Sequence, residues 1–315
     1  MLHFCTGHVS VVSRTPARPN FAAVESDVRV LEPESAPAGE SRPRSEALNR
    51  LNRALEPVKT RLGIRDLEAS ALKIWVLSRV TMVLITWAVV WTGFGDIGKR
   101  PHGWASVWQR WDWLRYYGIA ANGYSLRARH GASIAFFPGY PGILYVVHLF
   151  LRSWVFSGLV ISLVAGGIAV AALARIIALE AASLAGDGVR TAVRDGVTLF
   201  VVAPAAVFLA AGYTEAPFLA FAFTAWLAAR RGNWLATGLL LAGASAIRVN
   251  GLFVLVGVGV LFLQSRPRGV HEWLRGWPLA IPLVPVIAFM AYLHSLTGSW
   301  NAWEHAEQVG WKRHF

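Results

Sequence analysis

Hydrophobic residues dominate the chain from residue 73 onward, where they form long runs separated by short polar breaks. The first run, IWVLSRVTMVLITWAVVWTGF, occupies residues 74–94. A helix needs about 20 mostly apolar residues to cross the hydrocarbon core of a bilayer, and this run is long enough. The pattern therefore predicts an all-α, polytopic integral membrane protein.

Seven further apolar runs follow the first, so the sequence predicts about eight transmembrane helices. The later runs occupy residues 134–151, 154–179, 196–212, 214–229, 234–247, 250–264 and 277–296. Several of these runs are shorter than a full crossing requires. A long loop rich in polar and aromatic residues, 95–133, separates the first run from the second.

Residues 1–72 have a different composition, with ten basic and nine acidic residues among scattered Pro, Ser and Glu. Too few apolar residues are present to offset the entropy of ordering, so we expect residues 1–45 to form a disordered cytoplasmic tail. Spaced leucines at 46–72 predict a helix. This helix is either an amphipathic helix that lies on the inner membrane surface or a solvated linker. The multi-spanning membrane domain is then expected at 73–315.

The formal net charge of +12 does not indicate a nucleic-acid-binding protein. The basic residues punctuate apolar segments instead of forming one solvated patch, which is typical of cytoplasmic loops. Membrane lipids and phosphorylated lipids are therefore the expected acidic partners. Arginine outnumbers lysine 26 to 4, a bias found in GC-rich bacterial genomes, so we expect the plasma membrane of a bacterium.

Basic residues also predict the orientation of the chain. Those that precede the first run are Arg61, Arg65 and Lys73. Such residues place the N-terminus in the cytoplasm and the 95–133 loop outside, and the arginine-rich breaks at 229–233 and 265–276 are expected inside. One conflict remains, because two full crossings within 134–179 would place Arg190 and Arg194 outside. Either 134–151 is not a full crossing, or a later span is miscounted.

Unusual polar residues fall in the predicted outer breaks. They include Asp112 in the first loop, Tyr213, Thr214 and Glu215 in AGYTEAP, and Arg248 and Asn250 in AIRVNG. Ionisable groups at the edge of a membrane commonly mark a substrate path or a paired cluster. For Arg248 the alternative is an arginine at a helix end that extends to the interface without a ligand.

Asp112 has two interpretations on the residues alone. In one, it pairs with Arg110 or Arg115 within an interfacial belt of aromatic residues that includes Tyr116. In the other, its carboxylate deprotonates an acceptor hydroxyl, while Trp111 and Trp113 provide a stacking surface for a sugar. Spacing alone leaves both interpretations open.

Five blocks, in order along residues 70–315, resemble those of the PIG-V mannosyltransferase family. They are RWDWLRYYGIAANGY, AFFPGYP, PAAVFLAAGYTEAPFLA, IRVNG and TGSWNAWEHAEQVGWKR. This family comprises the enzymes that add the second mannose to GPI precursors, together with bacterial relatives, and its members are GT-C-fold membrane glycosyltransferases. The resemblance implies that fold and a mannosyltransferase activity. The predicted orientation places this activity on the outer membrane face, and in-line attack on the sugar is expected to invert its anomeric centre.

The resemblance also implies roles for particular residues. Asp112 is then the catalytic base, whereas Tyr213, Glu215, Arg248 and Asn250 contact substrate. The donor is expected to be a polyprenyl-phosphate-linked mannose, and the acceptor a glycolipid, a glycan or a protein.

Further expectations concern phosphate binding and cofactors. Arg248, together with Arg110 or Arg115, is expected to hold the phosphate of the donor. The chain has no glycine-rich phosphate loop and no DXD motif, so we expect neither a cofactor nor a metal.

Two rival functions remain from the sequence. Enzymes of this family continue through further helices after the last block, which implies a C-terminal truncation at Phe315 and allows an inactive GT-C scaffold. A transporter of lipid-linked substrates would also need a polar cavity within the membrane. Such a transporter is expected to show matched repeats or paired broken helices, which the sequence does not display.

Overall fold

The computed structural model describes residues 42–92, 103–124, 131–183, 187–265 and 269–311. Within these residues the regular structure is entirely helical, without a β-strand, which confirms the predicted all-α class. Most of the predicted tail at 1–45 lies outside the described residues.

Eleven α-helices form the described part of the chain. They are α1 (Arg42–Trp91), α2 (Asp112–Asn122), α3 (Gly139–Leu151), α4 (Trp154–Glu180), α5 (Asp187–Val202), α6 (Glu215–Arg230), α7 (Trp234–Ile247), α8 (Gly251–Gln264), α9 (Val270–Leu274), α10 (Leu283–Thr297) and α11 (Ala302–Trp311). Short 3₁₀ helices occur at Gly103–Trp108, Gly131–Ala135, Pro204–Leu209 and Trp277–Ala280.

The chain divides into two compact units, residues 1–60 and 61–315. In the first unit, residues 42–60 are helical. The second unit contains all of the packed elements that follow. Helix α1 covers both the helix predicted at 46–72 and most of the first apolar run.

Three stretches among the described residues are long and apolar enough to cross a membrane. They are Arg65–Trp91, Trp154–Glu180 and Val270–Thr297. Three shorter apolar helices, α3, α7 and α8, have 13 or 14 residues each and are roughly 20 Å long. Large apolar side chains of α1 point away from the protein, including Leu77 and Leu84, as expected of a helix that faces lipid. The described part of the chain is therefore all-helical, with helices long and apolar enough for a membrane protein.

Small residues allow α4 and α6 to pack closely against each other. Helix α4 buries Ser157, Gly158 and Ser162, and α6 buries a series of alanines that includes Ala216 and Ala220. Lipid tails are as apolar as leucine side chains, so helices in a membrane associate through close backbone approach at small residues. This helix pair forms the centre of the bundle.

Paired charges occupy one end of the bundle. Glu68 of α1 pairs with Arg175 of α4, and Nη1 of Arg230 lies 3.1 Å from Oε1 of Glu180. Glu180 ends α4, and Arg230 ends α6. The residues that follow Glu180 therefore leave the bundle at the end that carries the arginine-rich 229–233 break. We call this the distal end.

Helix α3 begins and ends at the opposite end of the bundle. Its first residue, Gly139, packs against Ala246 in the last turn of α7, which starts at the distal end. Near the other end of α3, His148 stacks on Trp154, the first residue of α4, with 3.6 Å between ring centroids. Because both contacts lie away from the distal end, 134–151 does not cross the bundle. This arrangement removes the conflict in the predicted orientation, since α4 alone carries the chain to the distal end.

Candidate functional site

Charged side chains from three helix ends lie within electrostatic range of one another at the end of the bundle opposite the distal end. Asp112 is the first residue of α2, and Glu215 is the first residue of α6. Arg248 directly follows α7, where its backbone N–H still donates to the carbonyl of Ala244. The partial charges of helix termini favour carboxylates at the N-terminus and cations at the C-terminus, so each charge suits its position.

Arg248 and Glu215 form an ion pair at this site. Nη1 of Arg248 lies 2.5 Å from Oε1 of Glu215 and donates to Oγ1 of Thr214 at 3.0 Å. The two charged side chains are 35% and 34% exposed. Within the part of the chain that the structure describes, neither Nε nor Nη2 of Arg248 makes a hydrogen bond, and the buried Oε2 of Glu215 has none either. Both residues therefore keep polar atoms that a ligand can use.

Two tyrosines connect α2 to the residues just before α6. The hydroxyl of Tyr116 lies 3.3 Å from Oγ1 of Thr214, and both side chains are buried. The hydroxyl of Tyr213 donates to the carbonyl of Arg110 at 2.7 Å. Asp112 lies between these two attachments and is therefore held beside the turn that carries Glu215.

A pair of glycines lets α4 approach the turn before α6. A Cβ on Gly158 would lie 3.3 Å from Cα of Gly212 and 3.4 Å from Nε1 of Trp113. Gly212 has a φ of 71°, a left-handed conformation that strongly favours glycine. Its N–H donates to Oγ of Ser162 at 3.1 Å, and its carbonyl accepts from the hydroxyl of Tyr140. The turn is thus fixed to both α3 and α4.

A second close approach positions Arg248. A Cβ at Gly139 would lie 2.5 Å from the carbonyl oxygen of Ala246, too close for any side chain. On the other side of Arg248, a Cβ at Gly251 would lie 2.5 Å from Oγ of Ser245. Close contacts therefore fix the backbone on both sides of Arg248: Gly139 packs against Ala246, and Gly251 packs against Ser245.

The surroundings of Asp112 make its carboxylate more basic. Burial raises the pKa of Asp112 above the ordinary aspartate value, and the negative charge of Glu215 raises it further. The guanidinium groups of Arg248 and Arg115 lower the pKa and oppose this change. The net direction is upward, which suits a carboxylate that accepts a proton during a reaction.

The two tryptophans beside Asp112 have different environments. Trp111 is 75% exposed and has φ 44° and ψ −120°, a strained conformation for a large residue. Strain of this kind is found at sites of function, where the surroundings enforce it. Trp113 is only 3% exposed and stacks on Tyr117, with 5.3 Å between ring centroids. Trp111 is therefore the one of the two with a free aromatic face.

The remaining predicted residues lie around this cluster. Arg115 is half-buried one turn after Asp112, and its charge acts on the Asp112 carboxylate. Asn250 is exposed at the start of α8, and its side chain makes no hydrogen bond to a described residue. The structure thus groups Asp112, Arg115, Glu215 and Arg248, with Asn250 two residues away along the chain.

Two residues of the cluster receive no functional role from the sequence. The hydroxyl of Thr214 contacts both Arg248 and Tyr116, and Thr214 lies between the predicted site residues Tyr213 and Glu215 in the sequence. Tyr116 was interpreted only as part of an aromatic belt. The position of Thr214 between two predicted site residues was a signal in the sequence for its role. No such signal exists for Tyr116, because its burial depends on tertiary packing.

A comparison with protein families identifies the region that contains this cluster. The chain matches the model of the family described as "Mannosyltransferase (PIG-V)" over residues 102–267, which is more than half of the chain. The match confirms the resemblance found in the sequence blocks. No solved structure matches the chain.

Curated relatives carry the name GPI alpha-1,6-mannosyltransferase 2. The chain is 35% identical to the protein of Cricetulus griseus over 190 residues, which cover 58% of this chain and 36% of the relative. It is 34% identical to the Mus musculus protein over 202 residues, covering 62% and 38%. It is 34% identical to the Homo sapiens protein over 205 residues, covering 63% and 39%. The matched region thus spans less than two fifths of the length of these relatives.

Proposed function

The chain belongs to the PIG-V mannosyltransferase family, and from this premise we propose that it is a membrane mannosyltransferase. It moves a mannosyl residue from a polyprenyl-phosphate-linked donor to an acceptor hydroxyl on the outer membrane face, with inversion. The observation that carries the proposal is that Asp112 lies at a helix end within electrostatic range of the Glu215–Arg248 pair. The acceptor is a glycolipid, a glycan or a protein.

Arg248 binds the phosphate of the donor in this proposal. Glu215 and Thr214 hold Nη1, which orients the planar guanidinium and leaves Nε and Nη2 as a pair of donors. Such a fork suits two oxygens of one phosphate. Arg115 lies one turn after Asp112 and adds positive charge to the same site.

Asp112 acts as the general base. It takes the proton of the acceptor hydroxyl while the acceptor oxygen bonds to the anomeric carbon and the bond from that carbon to the phosphate oxygen breaks. The electron pair leaves with the polyprenyl phosphate, whose negative charge Arg248 stabilises. Attack opposite the leaving group inverts the anomeric centre, and the phosphate needs no strong acid because it is a good leaving group.

The sugar is recognised by the groups that surround this path. The exposed ring of Trp111 offers an apolar face on which a sugar can stack. The buried Oε2 of Glu215 can accept a hydrogen bond from a sugar hydroxyl. Tyr213 and Trp113 keep the Asp112 turn in place, through the Arg110 carbonyl and through core packing respectively.

An apolar cavity supports a lipid-linked substrate. The cavity has a volume of about 470 Å³ and is lined by residues of α3, α4, α6 and α7. Pro217, two residues after Glu215, belongs to its lining, together with Ile143 and Val160. A hydrocarbon chain attached to a phosphate at Arg248 therefore has an apolar surface nearby.

The architecture that we propose is of GT-C type, with about seven transmembrane helices, because the 134–151 run among the eight predicted does not cross the bundle. The three long apolar stretches and the three shorter apolar helices support a polytopic bundle. The arginine-rich break at 229–233 and the residues after Glu180 leave the same end of the bundle, which supports placing that end in the cytoplasm. The site at the other end would then face outward.

Transfer of radiolabelled mannose from polyprenyl-phosphate mannose to membrane acceptors tests the function. Membranes that contain the chain should transfer label, and Asp112→Asn should reduce the rate by about 10²-fold or more while the protein stays inserted. Asp195→Asn is the matched control, because Asp195 is exposed and pairs only with Arg194 among the described residues. Activity of Asp112→Asn within about threefold of wild type would exclude Asp112 as the base.

The same assay distinguishes the rival functions. An inactive scaffold would transfer no label in wild type or in either variant. A transporter would move the lipid-linked donor across the membrane without transferring the sugar, and Asp112→Asn would leave that movement unchanged.

A further inference from the structure

Arg79 is a charged residue within the candidate span Arg65–Trp91. Its side chain points into the protein and is only 7% exposed. An ionisable side chain at membrane depth is costly, and such residues commonly have a function. Arg79 lies outside the stretch that matches the family, and no step proposed above uses it.

The guanidinium of Arg79 contacts a backbone carbonyl and an aromatic ring. Nη1 donates to the carbonyl of Ala206 at 3.3 Å, and the guanidinium carbon lies 4.2 Å from the centre of the Trp75 ring. Nε donates to Oγ of Ser78 at 3.2 Å. Within the described ranges Arg79 pairs with no carboxylate, and Nη2 is buried without a hydrogen-bond partner. Its principal long-range polar partner is therefore the Ala206 carbonyl.

Trp75 fixes the guanidinium to α4. The indole N–H donates to the carbonyl of Leu163 at 3.1 Å, and the ring occupies the space where Gly166 would carry a side chain. Trp75 is 1% exposed. Arg79 therefore stacks on a ring that is held against α4, and this contact restricts the orientation of the guanidinium.

The carbonyl that Arg79 binds belongs to an irregular stretch between α5 and α6, residues 203–214. Pro204 cannot continue the hydrogen-bond ladder of α5, and a 3₁₀ helix and a turn follow it. Backbone of this kind is stable at membrane depth only where protein groups satisfy it. Arg79 supplies one attachment at Ala206, and Ser162 supplies a second at Gly212.

We infer that Arg79 is a positioning residue: by holding the Ala206 carbonyl, it keeps residues 203–214 in the conformation that brings Thr214 and Glu215 to Arg248. The catalytic consequence rests on the proposed function, whereas the structural consequence does not. An apolar side chain cannot replace it, because the carbonyl needs a donor that reaches from α1.

Cysteine reactivity measures whether residues 203–214 stay in place. In a Cys5→Ser background, Ala211→Cys places a thiol at a position that is 9% exposed, within the irregular stretch. Ala244→Cys in α7, 0% exposed, is the matched control. The rate of modification by a small thiol reagent is compared in Arg79, Arg79→Lys and Arg79→Met proteins.

Arg79→Met should increase the labelling rate at position 211 by about tenfold or more, because a hydrogen bond to a charged donor is lost and local opening becomes more frequent. Labelling at position 244 should not change. Arg79→Lys retains a donor and a cation over Trp75, so its labelling rate should stay close to that of the native protein. Thermal stability of the Met variant should fall only modestly, since a single long-range hydrogen bond, the one to the Ala206 carbonyl, is lost.

Activity provides the second measurement. Arg79→Met should raise the donor KM about tenfold, because Glu215 and Thr214 no longer orient Arg248, and Arg79→Lys should restore most of the loss. Unchanged labelling at position 211 in the Met variant would overturn the inference. Failure of that variant to insert would also overturn it, because Arg79 would then be required for assembly of the bundle. Increased labelling in a chain that transfers no mannose would support the positioning role and refute the proposed function alone.

Discussion

Replacement of Arg248 by lysine tests whether Arg248 binds the donor phosphate or only extends to the membrane interface. In the structure, Nη1 is occupied by Glu215 and Thr214, and the two remaining nitrogens are available to a phosphate. Lysine has one terminal nitrogen, so contact with Glu215 competes with contact to the phosphate. The variant keeps the positive charge but loses the planar pair of donors.

The size of the effect follows from the number of hydrogen bonds lost. A hydrogen bond to a charged group contributes about 1.5–3 kcal/mol, and the lower value applies because the pair is 35% and 34% exposed and water screens it. Loss of one such bond to the donor corresponds to roughly a tenfold weaker affinity. The expected result for Arg248→Lys is therefore about a tenfold higher donor KM, with acceptor dependence little changed.

The assay is a donor-dependence curve measured in membranes that contain equal amounts of each protein. Arg152→Lys is the control, because Arg152 is an exposed arginine just after α3, at the same end of the bundle as the site. Its curve should coincide with that of wild type. If residue 248 only extended to the membrane interface, lysine would serve as well as arginine. Superimposable donor-dependence curves for wild type and Arg248→Lys would therefore refute the phosphate role.

Three other outcomes follow from the structure. Activity should fall on acidification at a higher pH than an ordinary aspartate would give, because the pKa of Asp112 is raised. Arg115→Gln should move this fall to a still higher pH, because the variant removes a positive charge that lowers the pKa of Asp112; an unchanged pH–activity profile would exclude that coupling. Cysteine at Ser299 should react with a membrane-impermeant thiol reagent in intact cells and cysteine at Gly232 should not, and the reverse pattern would invert the proposed orientation. Gly139→Ala should lower the free energy of unfolding by about 1–3 kcal/mol, since its Cβ would meet a carbonyl of α7, and denaturation that matches wild type would contradict this packing.

The all-helical membrane class could be predicted from the sequence because it depends on local properties. The length and apolarity of a run such as 154–179 suffice to indicate a crossing helix, and α4 has nearly those bounds. The sequence blocks likewise identified the family, and they contain the charged residues that the structure groups at one end of the bundle. Such information is carried by neighbouring residues and requires no knowledge of how helices pack.

The tertiary structure alone decided which residues meet. Asp112, Glu215 and Arg248 lie far apart along the chain, and close backbone contacts at glycines such as Gly139 and Gly158 bring their helix ends together. An apolar run shows that a segment is buried in lipid or protein but does not show which, so the path of α3 could not be derived from its composition. The roles of Trp111 and Trp113 could not be separated for the same reason. Burial is a property of the packed helices, and the one-dimensional pattern of hydrophobic residues does not contain it.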